Sequence, residues 1–220
     1  MLELYGTSDG ILEVEYFDEI GTGLGPTLEF YSLVSKEFAR RSLNLWRDED
    51  ETKQGTYVYH SKGLYPAPSR PAETASSAAG TKIGWFKTLG LFLGRALLDS
   101  RIIDVNLNKV FLKAVLGKPV KRSIATLKLV DMPLARSLDR LQIYLQARKE
   151  IEALKLPVST RRTKLAALTV GGAKLQELSL DFTLPGYGIE LKVRFSHSFA
   201  SFPYTHPAEW RPHRSRRFEH

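Results

Sequence analysis

The run Gly21-Thr22-Gly23-Leu24-Gly25-Pro26 separates two stretches of different apolar period, and that change constrains the fold more than any other feature. Before it, Leu12, Val14 and Tyr16 alternate with Glu13 and Glu15, which predicts a half-buried strand over residues 11–17. After it, Phe30, Leu33, Val34 and Phe38 recur at helical spacing through about Arg41. Pro26 suits the first helical position, where its missing N–H is no loss, and Glu29 in the first turn suits the helix dipole. Strand, glycine loop and helix together suggest a dinucleotide-binding turn, but the spacing excludes it. The third glycine follows the second by two residues, and Pro26 stands where the fingerprint requires glycine. Further on, Leu43-Asn44-Leu45-Trp46-Arg47 offers no acid to hold a ribose.

The remaining pattern is mostly helical. Residues 44–59 are polar around Asp48-Glu49-Asp50-Glu51, with a short strand expected over 56–59. Gly63-Leu64-Tyr65-Pro66-Ala67-Pro68 is turn-rich, and the Ala/Ser/Pro bias of residues 69–81 predicts a mobile surface loop. A helix is predicted from Lys82, with Trp85, Leu89, Phe92, Leu93, Ala96 and Leu97 on one face. Gly90 and Gly94 are expected to admit a neighbouring backbone. An extended segment over 101–107 leads into a helix from Asn108 that Gly117 ends. Leu134, Leu138, Leu141 and Leu145 predict a long amphipathic helix over 133–154. Its stripe is clean for under two heptads, so it is read as core-facing and not as a free coiled coil. A short helix over 160–168, a break at Gly171-Gly172 and a strand over 178–184 ending at Pro185-Gly186 complete the chain. There is no internal repeat. The fold class is α+β, helix-dominated, with a few short strands.

Composition narrows the function. With 43% hydrophobic residues, 220 residues suffice for a packed core. The sequence contains no cysteine, which removes disulfides, thiolate metal sites and a cysteine nucleophile, and suits a reducing cytoplasmic or nuclear setting. The N-terminus does not read as a secretory signal. The most apolar stretch, residues 89–98, contains Arg95 and is far shorter than the roughly 20 residues of a membrane helix, so a soluble protein is expected. Of the net charge of +8, residues 192–220 hold six Lys/Arg against two acids, leaving a mildly basic body that is no footprint for nucleic acid. That tail also holds four of the five histidines, at spacings of nine, seven and seven that fit no zinc site. It is expected to be a disordered His/Pro/Arg-rich end. There is no Gly-x-Ser-x-Gly elbow, and His60 is read as a surface or loop histidine, so a hydrolase is not indicated. No catalytic, cofactor-binding or metal-binding residue is assigned, and no cofactor is expected.

Several segments, in order, resemble the amino-terminal lobe of HECT-type ubiquitin ligases, specifically the ubiquitin-fusion-degradation/thyroid-receptor-interactor subgroup. They are Leu12-Glu13-Val14-Glu15-Tyr16, Gly21 through Tyr31, Leu33-Val34-Ser35, Leu45-Trp46-Arg47 and Gly63-Leu64-Tyr65-Pro66. Leu89 through Ala96, Asp104-Val105-Asn106-Leu107, Leu180 through Gly186 and Ile189-Glu190-Leu191 follow. The glycine run continued by Thr-Leu-Glu-Phe-Tyr is the specific part, and the resemblance covers residues 1–191, a partial HECT domain.

The resemblance implies an enzyme that takes ubiquitin from a conjugating enzyme onto a cysteine thioester and passes it to a substrate lysine. That cysteine belongs to a carboxy-terminal lobe, and the conjugating-enzyme platform follows the Asp181-Phe182-Thr183-Leu184-Pro185-Gly186 strand. The 220 residues are expected to contain neither, and to be inactive alone. Ubiquitin, a conjugating enzyme and protein substrates are the implied partners. The alternative is a non-catalytic ubiquitin- or substrate-binding module acting as a competitor; a nucleic-acid binder is the third possibility. The match ends abruptly after Lys192, which suggests a piece of a longer ligase or a gene-model artefact. Transcripts running from Glu190 into further ligase sequence would support this, and a confirmed stop after His220 would sink it.

Overall fold

The computed structural model describes residues 6, 8, 10–17, 23–50, 52, 54–70 and 81–191. Helices dominate: α1 (Leu24–Phe38), α2 (Lys82–Leu98), α3 (Lys109–Val115), α4 (Ile124–Leu127), α5 (Met132–Ala153) and α6 (Val158–Ala166). Short 3-10 turns lie at Arg41–Leu43 and Leu175–Leu178. A two-stranded antiparallel hairpin of β1 (Thr183–Leu184) and β2 (Ile189–Glu190) completes them, so the class is the helix-dominated α+β expected.

Local chemistry sets several helix starts. Thr81 Oγ1 accepts from Gly84 N–H at 3.1 Å, and Asn108 Oδ1 from Val110 N–H at 2.8 Å. Asp131 Oδ1 accepts from Leu134 N–H at 2.9 Å, with Pro133 in the first turn of α5. Helix α1 begins at Leu24, before Pro26, because Gly23 turns the chain at φ 99. It ends at Phe38, three residues short of the expected Arg41. Gly117, at φ 65, follows the last turn of α3, the helix stop read from sequence.

The core lies between α1, α2 and the arms joining them. Tyr31, Phe38, Leu45, Trp46, Val58, Leu64, Leu89, Phe92 and Ala96 are buried together. Phe92 is fully enclosed, with the Tyr31 and Phe38 rings each 5.5 Å away, centroid to centroid. Trp46 lies edge-on to Phe86 at 5.3 Å and donates its indole N–H to Phe38 O at 2.6 Å.

Three of the motif segments meet in space. Leu45-Trp46-Arg47 runs antiparallel to residues 65–67, with Arg47 N–H on Tyr65 O at 2.8 Å and Ala67 N–H on Leu45 O at 2.8 Å. Leu64 bridges Leu107 in parallel, through Leu64 N–H on Asn106 O at 2.7 Å and Asn108 N–H on Leu64 O at 3.0 Å. Gly63 sits at φ 86 against this bridge, where a Cβ would come within 2.9 Å of Asn108 N, so only glycine fits. Asn108, buried, donates its amide to Lys62 O and Leu129 O.

Several expectations need correction. Residues 11–17 are not a strand, although their burial alternates with Val14 innermost and Glu13 and Glu15 out. Their donors find side chains instead of a neighbouring strand: Leu12 N–H meets Asp99 and Val14 N–H meets Thr27 Oγ1 at 3.0 Å. The strand expected over 56–59 is reduced to one bridge between Arg40 and Tyr57. Gly90 and Gly94 have nothing within 4 Å of a built Cβ, so no neighbouring backbone among the described residues approaches there. Leu97, placed on the core face, is exposed, because Arg95 occupies the buried side of the last turn. The leucine stripe of α5 does not face the core: only Ala135 of that helix is buried, while Leu134 and Leu141 are half-buried and Leu138 and Leu145 exposed. A period of 3.6 identifies an apolar face but not what covers it. Helix α6 spans Val158–Ala166 where 160–168 was expected, and the strand over 178–184 shrinks to Thr183–Leu184 behind a 3-10 turn. Most of the 69–81 loop, Gly21 and Thr22, and the whole 192–220 tail with its histidines lie outside the described residues.

Candidate functional site

A cleft of about 1020 Å³ opens where the arm 41–50, the start of α5 and the terminal hairpin converge. Its walls include Arg41, Arg47, His60, Asp131 and Tyr187.

Arg41 reaches the cleft from the 3-10 turn after α1. Its guanidinium pairs with Asp48 and donates to Gln54 O at 2.9 Å and Tyr57 O at 3.1 Å, closing the 41–57 arm on itself. Arg47, from the arm paired with residues 65–67, forms an ion pair with Asp131 and lies over the Tyr187 ring at 5.3 Å. Asp131 thereby does two things: one oxygen caps α5 and the other holds Arg47. Tyr187 belongs to the loop between β1 and β2, so one arginine joins the core arm, the long helix and the hairpin. Burial raises the Tyr187 phenol above its ordinary value, and Arg47 opposes the rise.

His60 is buried, against the surface or loop position expected. Its Nε2 lies 3.2 Å from Val130 O, which can only accept, and its Nδ1 accepts from Lys62 N–H at 3.1 Å. The partners therefore select the tautomer protonated on Nε2. Val130 immediately precedes the Asp131 cap, so His60 fixes the start of α5 from the other side.

A second buried polar group ties Ser8, Gly10 and Leu12 to α2. The Arg95 guanidinium pairs with Asp99 through both groups' paired atoms, Nε to Oδ2 at 2.7 Å, and donates to Ser8 O at 2.6 Å and to Gly10 O. Tyr31 O–H donates to Asp99 at 2.8 Å. The Arg95 hydrogen bond holds the Asp99 carboxyl down to about 2, and burial with the Asp99 bond pushes the Tyr31 phenol up to about 12.

Sequence reasoning assigned no catalytic, cofactor or metal residue. Among the described residues no group of three or more His, Asp or Glu is placed to hold a metal ion. It missed the Arg47–Asp131–Tyr187 clamp. The available signals were Asp131 before Met132-Pro133, a helix-start pattern, and Arg47 at the end of a motif segment. Their pairing spans 84 residues and no local rule reaches it. Both oxygens of Asp131 and both ring nitrogens of His60 are engaged, so these two walls brace segments against one another.

The family model described as HECT-domain (ubiquitin-transferase) matches residues 32–197. A probable ubiquitin fusion degradation protein of Schizosaccharomyces pombe is 38% identical over 192 residues, 87% of this chain and 10% of the relative. E3 ubiquitin-protein ligase TRIP12 of Danio rerio is 36% identical over 197 residues, covering 85% and 10%. Ubiquitin fusion degradation protein 4 of Saccharomyces cerevisiae is 36% identical over 202 residues, covering 84% and 12%. The chain thus spans about a tenth of the length of the relatives it matches. With the motif order, the helical fold and these identities in agreement, the chain belongs to the HECT-domain (ubiquitin-transferase) family.

Proposed function

We propose that this chain supplies the scaffolding part of a ubiquitin-transferring ligase, and that the chemistry needs residues it does not contain. The observation that carries the reading is the pairing of a family match over residues 32–197 with a sequence free of cysteine. Transfer in this family passes through a thioester, and a serine hydroxyl without an activating base neither ionises like a thiol nor forms that bond. The clamp supports a positional role: Arg47 and Asp131 hold the hairpin that carries Leu180 through Leu191 against the core, which sets the direction in which anything attached beyond it is presented. Ubiquitin, a conjugating enzyme and protein substrates are the partners of that assembly, acting in the cytoplasm, the nucleus or both.

The test is a graft. Residues 12–191 would replace the matching segment of Danio rerio TRIP12, and ubiquitin ladder formation would be followed with conjugating enzyme and ATP. Retained ligation, reduced at least about tenfold by R47E within the graft, is the expected result. A folded graft without ligation, or one indifferent to R47E, overturns the reading. The alternative, a competitor module, is favoured by the missing thiol alone. Saturable binding of ubiquitin by the 220-residue chain would select it.

A further inference from the structure

The segment after Asn108 carries a charge that the whole-chain balance conceals. Residues 109–174 hold fifteen Lys/Arg against four Asp/Glu, a net +11, whereas residues 1–108 hold eleven against fifteen, a net −4. On α5, Arg136, Arg140, Ile143 and Ala147 recur at four, three and four residues and so share one face. Arg136 and Arg140 are exposed, and neither has a carboxylate partner among the described residues. Ile143, one turn beyond Arg140, is 67% exposed. At the start of α6, Val158 is exposed, and Arg162 follows it by one turn.

We propose that this face of α5 binds an acidic, amphipathic protein segment, whose carboxylates pair with Arg136 and Arg140 while its aliphatic side chains cover Ile143. Charge complementarity sets the sign of the partner: two exposed arginines one turn apart, without carboxylate partners among the described residues and within a segment of net +11, attract and orient an anionic chain and repel cationic ones. The exposed isoleucine sets its kind. A phosphate backbone would use the arginines but gain nothing from covering an aliphatic side chain, whereas an amphipathic acidic segment uses both.

The experiment uses the 220-residue chain and three fluorescent probes, measured by polarisation at low and high salt. The probes are a Leu/Glu amphipathic peptide, a polyglutamate of equal length and a short DNA duplex. The Leu/Glu peptide should bind tightest and lose affinity as salt rises. R136E/R140E should weaken it about tenfold. I143S should weaken it about fivefold. Because all three positions are exposed, the variants should melt with the parent, which separates lost binding from lost folding. Equal affinity for polyglutamate would overturn the apolar part of the proposal. Tighter binding of the duplex, salt-sensitive self-association of the chain in sedimentation, or no binding of any probe would overturn it altogether.

Discussion

Helix α2 and helix α5 present apolar residues at the same helical spacing and end in opposite surroundings. In α2, Leu89, Phe92 and Ala96 disappear into an aromatic cluster to which α1 and the 45–64 arm also contribute. In α5, Leu138 and Leu145 remain exposed, although the short α4 and α6 pack along the helix. The difference does not lie in the leucines. Where α2 lies, a second helix and a backbone arm arrive from other parts of the chain, and where α5 lies, little does. An apolar stripe reports a demand for cover, and only the tertiary context reports whether that demand is met.

Five substitutions would break or sharpen that contrast. Phe92→Ala should have the largest effect, about 3–5 kcal/mol in urea unfolding, because it empties the centre of the ring cluster. A value below about 1 kcal/mol would mean that the α2 face is no better packed than α5. Gly63→Ala should cost about 2–4 kcal/mol, since a left-handed backbone and a 2.9 Å approach to Asn108 both oppose a side chain. Its loss should appear as faster amide exchange at Leu64 and Asn108.

Asp99→Asn should cost about 2 kcal/mol at neutral pH and, more tellingly, change the shape of the acid limb. The folded carboxyl titrates near 2 against an ordinary 3.8, so its contribution is complete above 3.8 and is lost as pH falls towards 2. The variant should therefore show a flatter decline in stability over that window; an unchanged decline would deny the Arg95 pairing its role. Tyr31 works in the other direction, since its folded value near 12 exceeds the ordinary 10. Its contribution is complete below 10 and is lost as pH rises from 10 to 12, which a Tyr31→Phe variant should remove. Leu145→Ser, on the exposed part of α5, should change stability by less than about 0.5 kcal/mol. A larger loss would show that α5 is covered in solution.

Much of the helical framework was legible. The starts of α2 and α3, the Gly117 stop and the extent of α5 to within a residue all follow from capping residues and periodicity, which act over a few positions. The alternation over residues 11–17 also predicted burial correctly while misidentifying its cause. The segment inserts beside helices, and the side chains of Asp99 and Thr27 take the place of a partner strand. Nothing local to Leu12 announces a carboxylate 87 residues away. The same holds for the candidate site: Arg47, Asp131, Tyr187 and His60 are each unremarkable in their own neighbourhoods, and their meaning comes from long-range pairings. Strands read from short local runs fared worst, because a β-prone run becomes a strand only when another backbone lies beside it.

The backbone bridges around Leu64 and Leu107 bear on how freely the chain can change length. Lys82 Nζ donates to Pro68 O at 3.3 Å, so the two ends of the intervening segment are held side by side by contacts outside it. For such a closed segment, doubling the number of residues adds only about 0.6 kcal/mol of closure entropy. Insertions between Pro68 and Lys82 should thus be tolerated where a single added residue at Gly63 would not be. An insertion there would lengthen the chain while leaving the core around Phe92 as it is.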